Sequence, residues 1–236
     1  MLAVWQHLYA LPVYSLLTLS WGLYGDVRAF VSGHIGPHPF PRPTRGETGL
    51  FVGTKLVYVG YMLVLPTCFH PVWHVLLAFV AMHLLVGVTL SLVFQLAHTV
   101  ERTAFPVPEA HTGRMAHTWA VHEVATTANF APTNGCARWY LGGLNFQIEH
   151  HLFPAICHVH YPALSTIVRQ TCHDFAIPYV CYPTIRAALG GHYRWLKTLG
   201  RDGGPRPTPA PGQPHGGEGP DGARRAGVST WCLASD

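Results

Sequence analysis

The stretch LFVGTKLVYVGYMLVLPTCFHPVWHVLLAFVAMHLLVGVTLSLVF, residues 50–94, decides what kind of fold this chain has. Its first part, residues 50–69, carries one charge, Lys55, near enough to its start for the long side chain to reach toward water. Cys68, Phe69, His70 and Pro71 make a short uncharged turn, and residues 73–94 are again apolar apart from His74, His83 and a few hydroxyls. Each part has about the 20 residues that cross a bilayer core. The pattern predicts a transmembrane helical hairpin. Arg42, Arg45 and Lys55 lie at its entry, Arg102 and Arg114 follow it, and its turn has no basic residue. The positive-inside bias therefore places both outer ends in the cytosol.

On either side the chain changes character. Residues 2–24 are rich in Leu, Trp and Tyr but are interrupted by Gln6, His7 and Pro12, a mixture that suits the headgroup region. The start has no basic leader segment and no clear cleavage site, so it is expected to be an internal segment of a domain. Residues 26–47 carry Gly, Pro, Arg and Glu and read as a polar loop. Residues 98–200 are mixed, aromatic and His-rich, which predicts short helices on the cytosolic side. Residues 201–236 are dominated by Pro, Gly and Arg, a composition that cannot bury enough apolar surface to order itself. The expected architecture is an all-α integral membrane protein: one transmembrane hairpin, with interfacial and cytosolic helices, and a disordered tail.

Composition narrows the function. Charged residues are 11% of the chain, against about 25% in an ordinary soluble domain. The net charge of +4 is modest and its basic residues are scattered, which argues against a nucleic-acid partner. Six cysteines form no CxxC pair and are expected to be reduced, buried thiols facing a reducing compartment. Histidine is the outlier, with 17 residues, and neutral imidazole is the commonest protein metal ligand.

The histidines that carry chemistry stand in L-G-G-L-N-F-Q-I-E-H-H-L-F-P-A-I-C-H-V-H-Y-P, residues 141–162. Gln147, His150 and His151 occupy positions i, i+3 and i+4, which share one face of a helix. Two imidazoles and an amide oxygen there can converge on one ion or on two neighbouring ions. Pro154 ends such a helix, and Glu149 points elsewhere, making it a weaker ligand candidate.

The string N-F-Q-I-E-H-H-L-F-P closely resembles the third histidine box of membrane fatty-acid desaturases. Gln at its first ligand position is similar to the front-end and related acyl-lipid or acyl-CoA branch. The resemblance continues through C-H-V-H-Y-P-A-L, through T-T-A-N-F at residues 126–130, and into F-Q-L-A-H at residues 94–98. It implies that residues 1–200 are the C-terminal part of a desaturase domain. It also implies two iron ions, with Gln147, His150 and His151 as third-box ligands and His98 as the family's isolated histidine. His98 lies at the expected cytosolic end of the second span, which agrees with that role. Imidazole suits iron in an open site of this kind, without the closed cage of structural zinc. His122, Asn145, His158 and His160 are candidates for orienting the ligands. The other histidines are expected to be packed or solvated. Trp139, Tyr140 and Phe146 are expected to pack the core or line an acyl tunnel.

The implied reaction is oxygen-dependent formation of a double bond in a fatty acyl chain, carried as acyl-CoA or acyl-lipid. Removing hydrogen from an unactivated methylene is beyond side-chain acids and bases, so oxygen activation at the metal is required. Cytochrome b5 or a ferredoxin would supply electrons at the cytosolic face. The family's first two boxes, of the HxxxH and HxxHH kinds, are expected to be absent from this chain. About four of some eight or nine ligands are therefore accounted for. The expectation is a truncated piece or a degenerate copy, inactive on its own. The rival readings are a non-catalytic remnant of the same fold and a related diiron lipid hydroxylase or sphingolipid desaturase.

Overall fold

The computed structural model describes residues 2–39, 41–109 and 111–202; the Pro/Gly-rich tail read as disordered lies outside the described residues. It divides into two compact units, Tyr9–Leu92 and residues 2–8 together with 93–202.

The chain is helical from its start. A 3-10 turn, Leu2–Trp5, runs into α1, Gln6–Ser15, which holds Pro12. The proline has no N–H to donate. A short helical piece Leu17–Leu19, a π-helical stretch Ser20–Gly25 and α2, Asp26–Ser32, carry the helix onward. The polar loop expected over residues 26–47 therefore begins later than its composition suggests. Gly33 ends α2 in the left-handed region, φ 67°, and its N–H donates to the Ala29 carbonyl. A two-stranded antiparallel hairpin follows, β1 His34–Ile35 and β2 His38–Pro39. The expected loop also ends early. Thr44 and Glu47 form a capping box that opens α3, Arg45–Thr67, with the Thr44 N–H 2.7 Å from a Glu47 oxygen.

Two long apolar helices stand where the hairpin is expected. α3 has 23 residues and α4, Val72–His98, has 27, and both are long and apolar enough to cross a bilayer. None of the most apolar window of α3 is buried, and 22% of that of α4. A helix at the centre of a soluble core would be mostly covered. Their outward Leu, Val and Phe side chains instead need an apolar cover, which suits a membrane. α3 passes through a π turn, Gly60–Val64, ahead of Pro66, where the helix ladder must adjust.

Within the Tyr9–Leu92 unit, the first helical segment packs on both hairpin helices. Lys55 donates to the Gly22 carbonyl and to Asp26, at 2.7 and 2.8 Å. It is thus paired inside the unit rather than reaching alone toward water. Phe30 and Phe51 stack with centroids 4.4 Å apart. On α4, His83 ties three segments together. Thr18 donates its hydroxyl hydrogen to the His83 carbonyl, so its oxygen accepts from His83 Nδ1–H, at 3.0 Å. That leaves His83 Nε2 to accept from the Tyr58 hydroxyl, at 2.6 Å. Both ring nitrogens are satisfied in apolar surroundings, where an unpaired polar group is costly. Gly87 lets the Ser15 carbonyl approach the α4 backbone, and Ser91 donates to the Tyr14 carbonyl at 3.2 Å.

The second unit contains the end of α4, then α5 Trp119–Thr126, β3 Ala128–Phe130, α6 Gly135–Tyr140, α7 Gln147–Leu152, α8 Tyr161–Asp174, β4 Val180–Tyr182 and α9 Ile185–Asp202. β3 and β4 pair in parallel, Ala128 opposite Val180 and Phe130 opposite Tyr182. The chain is mostly helical, as expected, and the described residues add two small two-stranded sheets, of which the parallel pair is fully buried. Three-residue strands give too short a pattern to show period-two alternation. Parallel strands need a long crossover, and α6, α7 and α8 make it. Leu96, Val100, Ala128, Phe130, Val180, Tyr182 and Ala188 form one apolar cluster, and Val124, Ile148, Val168 and Cys172 another. The start of the chain packs on α9, where Gln6 donates to the Leu196 carbonyl at 2.7 Å.

The expected buried thiols are only partly found. Cys172 and Cys181 are buried, while Cys68, Cys136 and Cys157 are exposed; Cys232 lies outside the described residues.

Replacing Gly87 with Ala is expected to destabilise the protein by about 1–3 kcal/mol, because a methyl there meets backbone rather than a yielding side chain. Gly53→Ala, where nothing lies within 4 Å, is expected to be neutral or stabilising by up to about 1 kcal/mol. Thermal unfolding of the two variants in detergent separates these outcomes.

Candidate metal centre

α7 is a six-residue helix, too short to hold itself in place. The first N–H groups of any helix lack intrahelical partners. Here the Ile148 N–H donates to the Asn129 side-chain oxygen, at 2.9 Å, so a residue of β3 does the work of a cap. The Asn129 amide nitrogen donates in turn to Glu149 Oε2 and to the Tyr179 hydroxyl, each at 2.7 Å. The Tyr179 hydroxyl donates to Glu149 Oε1 at 2.9 Å. Asn129 and Glu149 are fully buried. Burial pushes the Glu149 carboxyl up from its ordinary range, against the Asn129 and Tyr179 bonds that pull it down. Burial and then the Glu149 charge push the Tyr179 phenol up. Glu149 thus faces the protein interior, as its place one residue before His150 implied, and serves as an anchor.

With Glu149 turned inward, the same helix presents Gln147, His150 and His151 on another side. The Gln147 side-chain oxygen is buried without a hydrogen-bond partner. Each imidazole, by contrast, has one committed nitrogen. His150 Nδ1 lies 3.2 Å from the Tyr161 hydroxyl, and His151 Nδ1 lies 2.9 Å from Glu123 Oε2. The His98 ring, on the last turn of α4, bonds to the Thr126 carbonyl. The His98 and His151 centroids are 5.0 Å apart and nearly perpendicular, and those of His150 and His151 are 5.8 Å apart. Burial, and then the neighbouring His151, lower the pKa of His150 and favour the neutral ring that a metal requires.

The donors are of the kinds that metal sites use. Ligand histidines commonly give one ring nitrogen to a carboxylate, carbonyl or hydroxyl and the other to the ion. The orphaned amide oxygen of Gln147, on the same short helix, is a further neutral donor type. The residues present therefore fit iron in their donor types. They do not amount to a complete cage: among the described residues no three His, Cys, Asp or Glu side chains are grouped closely enough to hold an ion.

The orienting candidates divide. His122, on α5, keeps Nδ1 buried and unpartnered. Asn145 is fully buried and donates to the Ala131 carbonyl at 3.2 Å. His158 and His160 lie exposed on a 3-10 turn, and His158 packs over Gly143, whose φ of 78° and missing side chain make room for it. Trp139 and Tyr140 are 84% and 63% exposed, so only Phe146 joins the core as expected. Gln147, His150 and His151 are legible from spacing; Glu123 and Tyr161 are not, although Glu123 stands three residues before T-T-A-N-F and Tyr161 lies inside C-H-V-H-Y-P.

The HxxxH spacing does occur in this chain, at His34–His38 and at His70–His74. Neither pair has helical ligand geometry. His34 and His38 are exposed on opposite strands of the β1–β2 hairpin, and His70 lies in the turn before α4, while exposed His74 lies tilted against Trp73. His70 and His74 line a cleft of the hairpin with Met62, Pro66, Phe79 and Met82, which contains none of the histidines around α7.

Comparison with known proteins places this geometry in context. The fatty acid desaturase family model matches residues 2–183. The chain is 43% identical over 198 residues to an acyl-lipid (8-3)-desaturase of Physcomitrium patens, covering 83% of this chain and 41% of the relative. It is 36% identical over 197 residues to an sn-1 linoleoyl-lipid 6-desaturase of Synechocystis, covering 83% and 55%. An acyl-lipid (7-3)-desaturase of Chlamydomonas reinhardtii is 30% identical over 201 residues, covering 83% and 38%. The chain thus spans about half the length of the curated relatives it matches. No solved structure matches it significantly.

Asn129→Ala is expected to cost on the order of 3 kcal/mol or more, since it strands a buried N–H, a carboxylate oxygen and a phenol, at about 1–3 kcal/mol for each unpaired group. Tyr179→Phe, which removes one donor from Glu149, is expected to cost less. Melting temperatures in detergent test the order of the two.

Proposed function

Because this chain belongs to the fatty acid desaturase family, we propose that it forms part of an oxygen-dependent lipid desaturase with a two-iron centre. His98, Gln147, His150 and His151 would hold metal. Further ligands would complete the shell around them. The single observation that carries this reading is the state of the donors. Three imidazoles from two helices each have one nitrogen tied to Thr126, Tyr161 or Glu123, beside a buried amide oxygen with no partner.

Bound iron would supply what no side chain can, the activation of oxygen toward an unactivated methylene. The overall change balances as the loss of two hydrogens from adjacent methylenes, with oxygen reduced to two waters by two further electrons and two protons. Those electrons would come from a carrier such as cytochrome b5 or a ferredoxin. The protein's own residues hold the ligands in position and keep the backbone of α7 dry and fixed. The relatives named above act on acyl-lipids, which favours a lipid-linked acyl chain over acyl-CoA for this chain too. The basic residues at both outer ends of the hairpin support a site on the cytosolic side.

His150→Ala and His151→Ala, made in the full-length protein and expressed in a yeast host, are each expected to abolish new unsaturated fatty acids in the lipid fraction. Membrane insertion should be unchanged, because both rings are half-exposed and the Asn129–Glu149 anchor is untouched. Gas chromatography of fatty-acid methyl esters reads the product; wild-type product levels in either variant would remove these residues from the site.

A further inference from the structure

We propose that α5 is the positioning element of the metal centre, and that Glu123 is the residue that aims His151. The inference rests on the two-iron reading above and deepens it, giving one of the groups that tie the imidazoles a specific role. α5 runs Trp119–Thr126, and Glu123 and Thr126 are three residues apart, hence neighbours on one face. Each holds a different histidine. Glu123 Oε2 accepts from His151 Nδ1–H at 2.9 Å, and the Thr126 carbonyl bonds to the His98 ring.

Helix geometry explains why this face is available. The last four carbonyls of a helix have no partner within it. α5 ends at Thr126, and its terminal carbonyls turn outward: that of Ala125 accepts from the Ala104 N–H at 2.8 Å, and that of Thr126 takes His98. Directly beyond, the chain becomes β3 and delivers Asn129 to α7. One short run, residues 123–129, therefore sets the ring of His98, the ring of His151 and the N-terminal turn of the helix that carries His151. His98 and His151 come from elements 53 positions apart in the chain, yet their rings sit 5.0 Å apart. The Glu123 carboxylate is 19% exposed and the His151 ring 31%, so their bond is only partly screened by water.

The consequence for the metal is specific. A carboxylate on Nδ1–H fixes which ring nitrogen carries the hydrogen and points the other, Nε2, away from α5. Without that partner the His151 ring is free to rotate and to present either nitrogen. Loss of such an orienting group typically weakens metal binding about 10–100-fold. Glu123 is a positioning residue, acting only through His151.

The test uses the full-length protein purified in detergent, stripped of metal and titrated with Co(II), whose visible absorption reports ligand number and geometry. Glu123→Ala is expected to weaken binding about 10–100-fold and to change the absorption band. Glu123→Gln keeps an acceptor oxygen at the same reach and is expected to recover at least part of the affinity and the wild-type band. Melting temperatures of the metal-free variants, together with the isosteric Gln replacement, separate loss of positioning from loss of fold. Wild-type affinity and absorption in Glu123→Ala would overturn the proposal. So would equal losses in both variants accompanied by equal drops in metal-free stability, which would make Glu123 merely structural. A wild-type protein that binds no Co(II) would overturn the two-iron reading itself, an outcome visible before any variant is compared.

Discussion

Asn129 brings a carboxamide into a place without solvent, and the helix that carries the histidine pair hangs on it. Its oxygen takes the Ile148 N–H; its nitrogen reaches Glu149 and Tyr179. A six-residue helix has almost no stability of its own, since forming the first turn costs more order than its few hydrogen bonds return. The anchor makes up that deficit from outside. It also decides orientation: with the Glu149 carboxylate held inward by two donors, the neighbouring side chains on α7 have no freedom to rotate about the helix axis.

That constraint accounts for much of the second unit. A buried carboxylate is tolerated only when its oxygens are bonded, so Asn129 and Tyr179 must both be present and both be fixed. The parallel pairing of β3 with β4 fixes the first, and the segment leading into β4 delivers the second. The crossover that parallel strands demand then becomes the place where α6, α7 and α8 are built. Tyr161, at the start of α8, reaches back to His150 from the same crossover. Scaffold and candidate site thus share one set of contacts.

The membrane unit follows a different logic. Its apolar side chains face outward and contribute little internal core, so packing is settled by a handful of polar or small contacts: His83 with Thr18 and Tyr58, Lys55 with Asp26, and Gly87 beneath the Ser15 carbonyl. Each replaces water that lipid cannot supply. These are the residues that break the apolar pattern of the helices, and in lipid they mark where helices meet.

Some of this was legible in the chain alone. Length and apolarity determined the two spans, because a bilayer admits few other ways to satisfy twenty backbone amides. The spacing of Gln147, His150 and His151 determined a shared helical face, since that follows from 3.6 residues per turn and nothing else. Glu149 could be set apart from the candidate ligands for the same reason. What the chain alone did not decide were the partners of those residues. Glu123 precedes His151 by 28 positions, Asn129 precedes Glu149 by 20, and Tyr179 follows Glu149 by 30. No local periodicity links residues so far apart. The two short buried strands, the exposure of Trp139 and the pairing of Lys55 were equally hidden, because burial is a property of what packs nearby. Local geometry is written in spacing; which nitrogen of a histidine is held, and by what, exists only once distant segments have met.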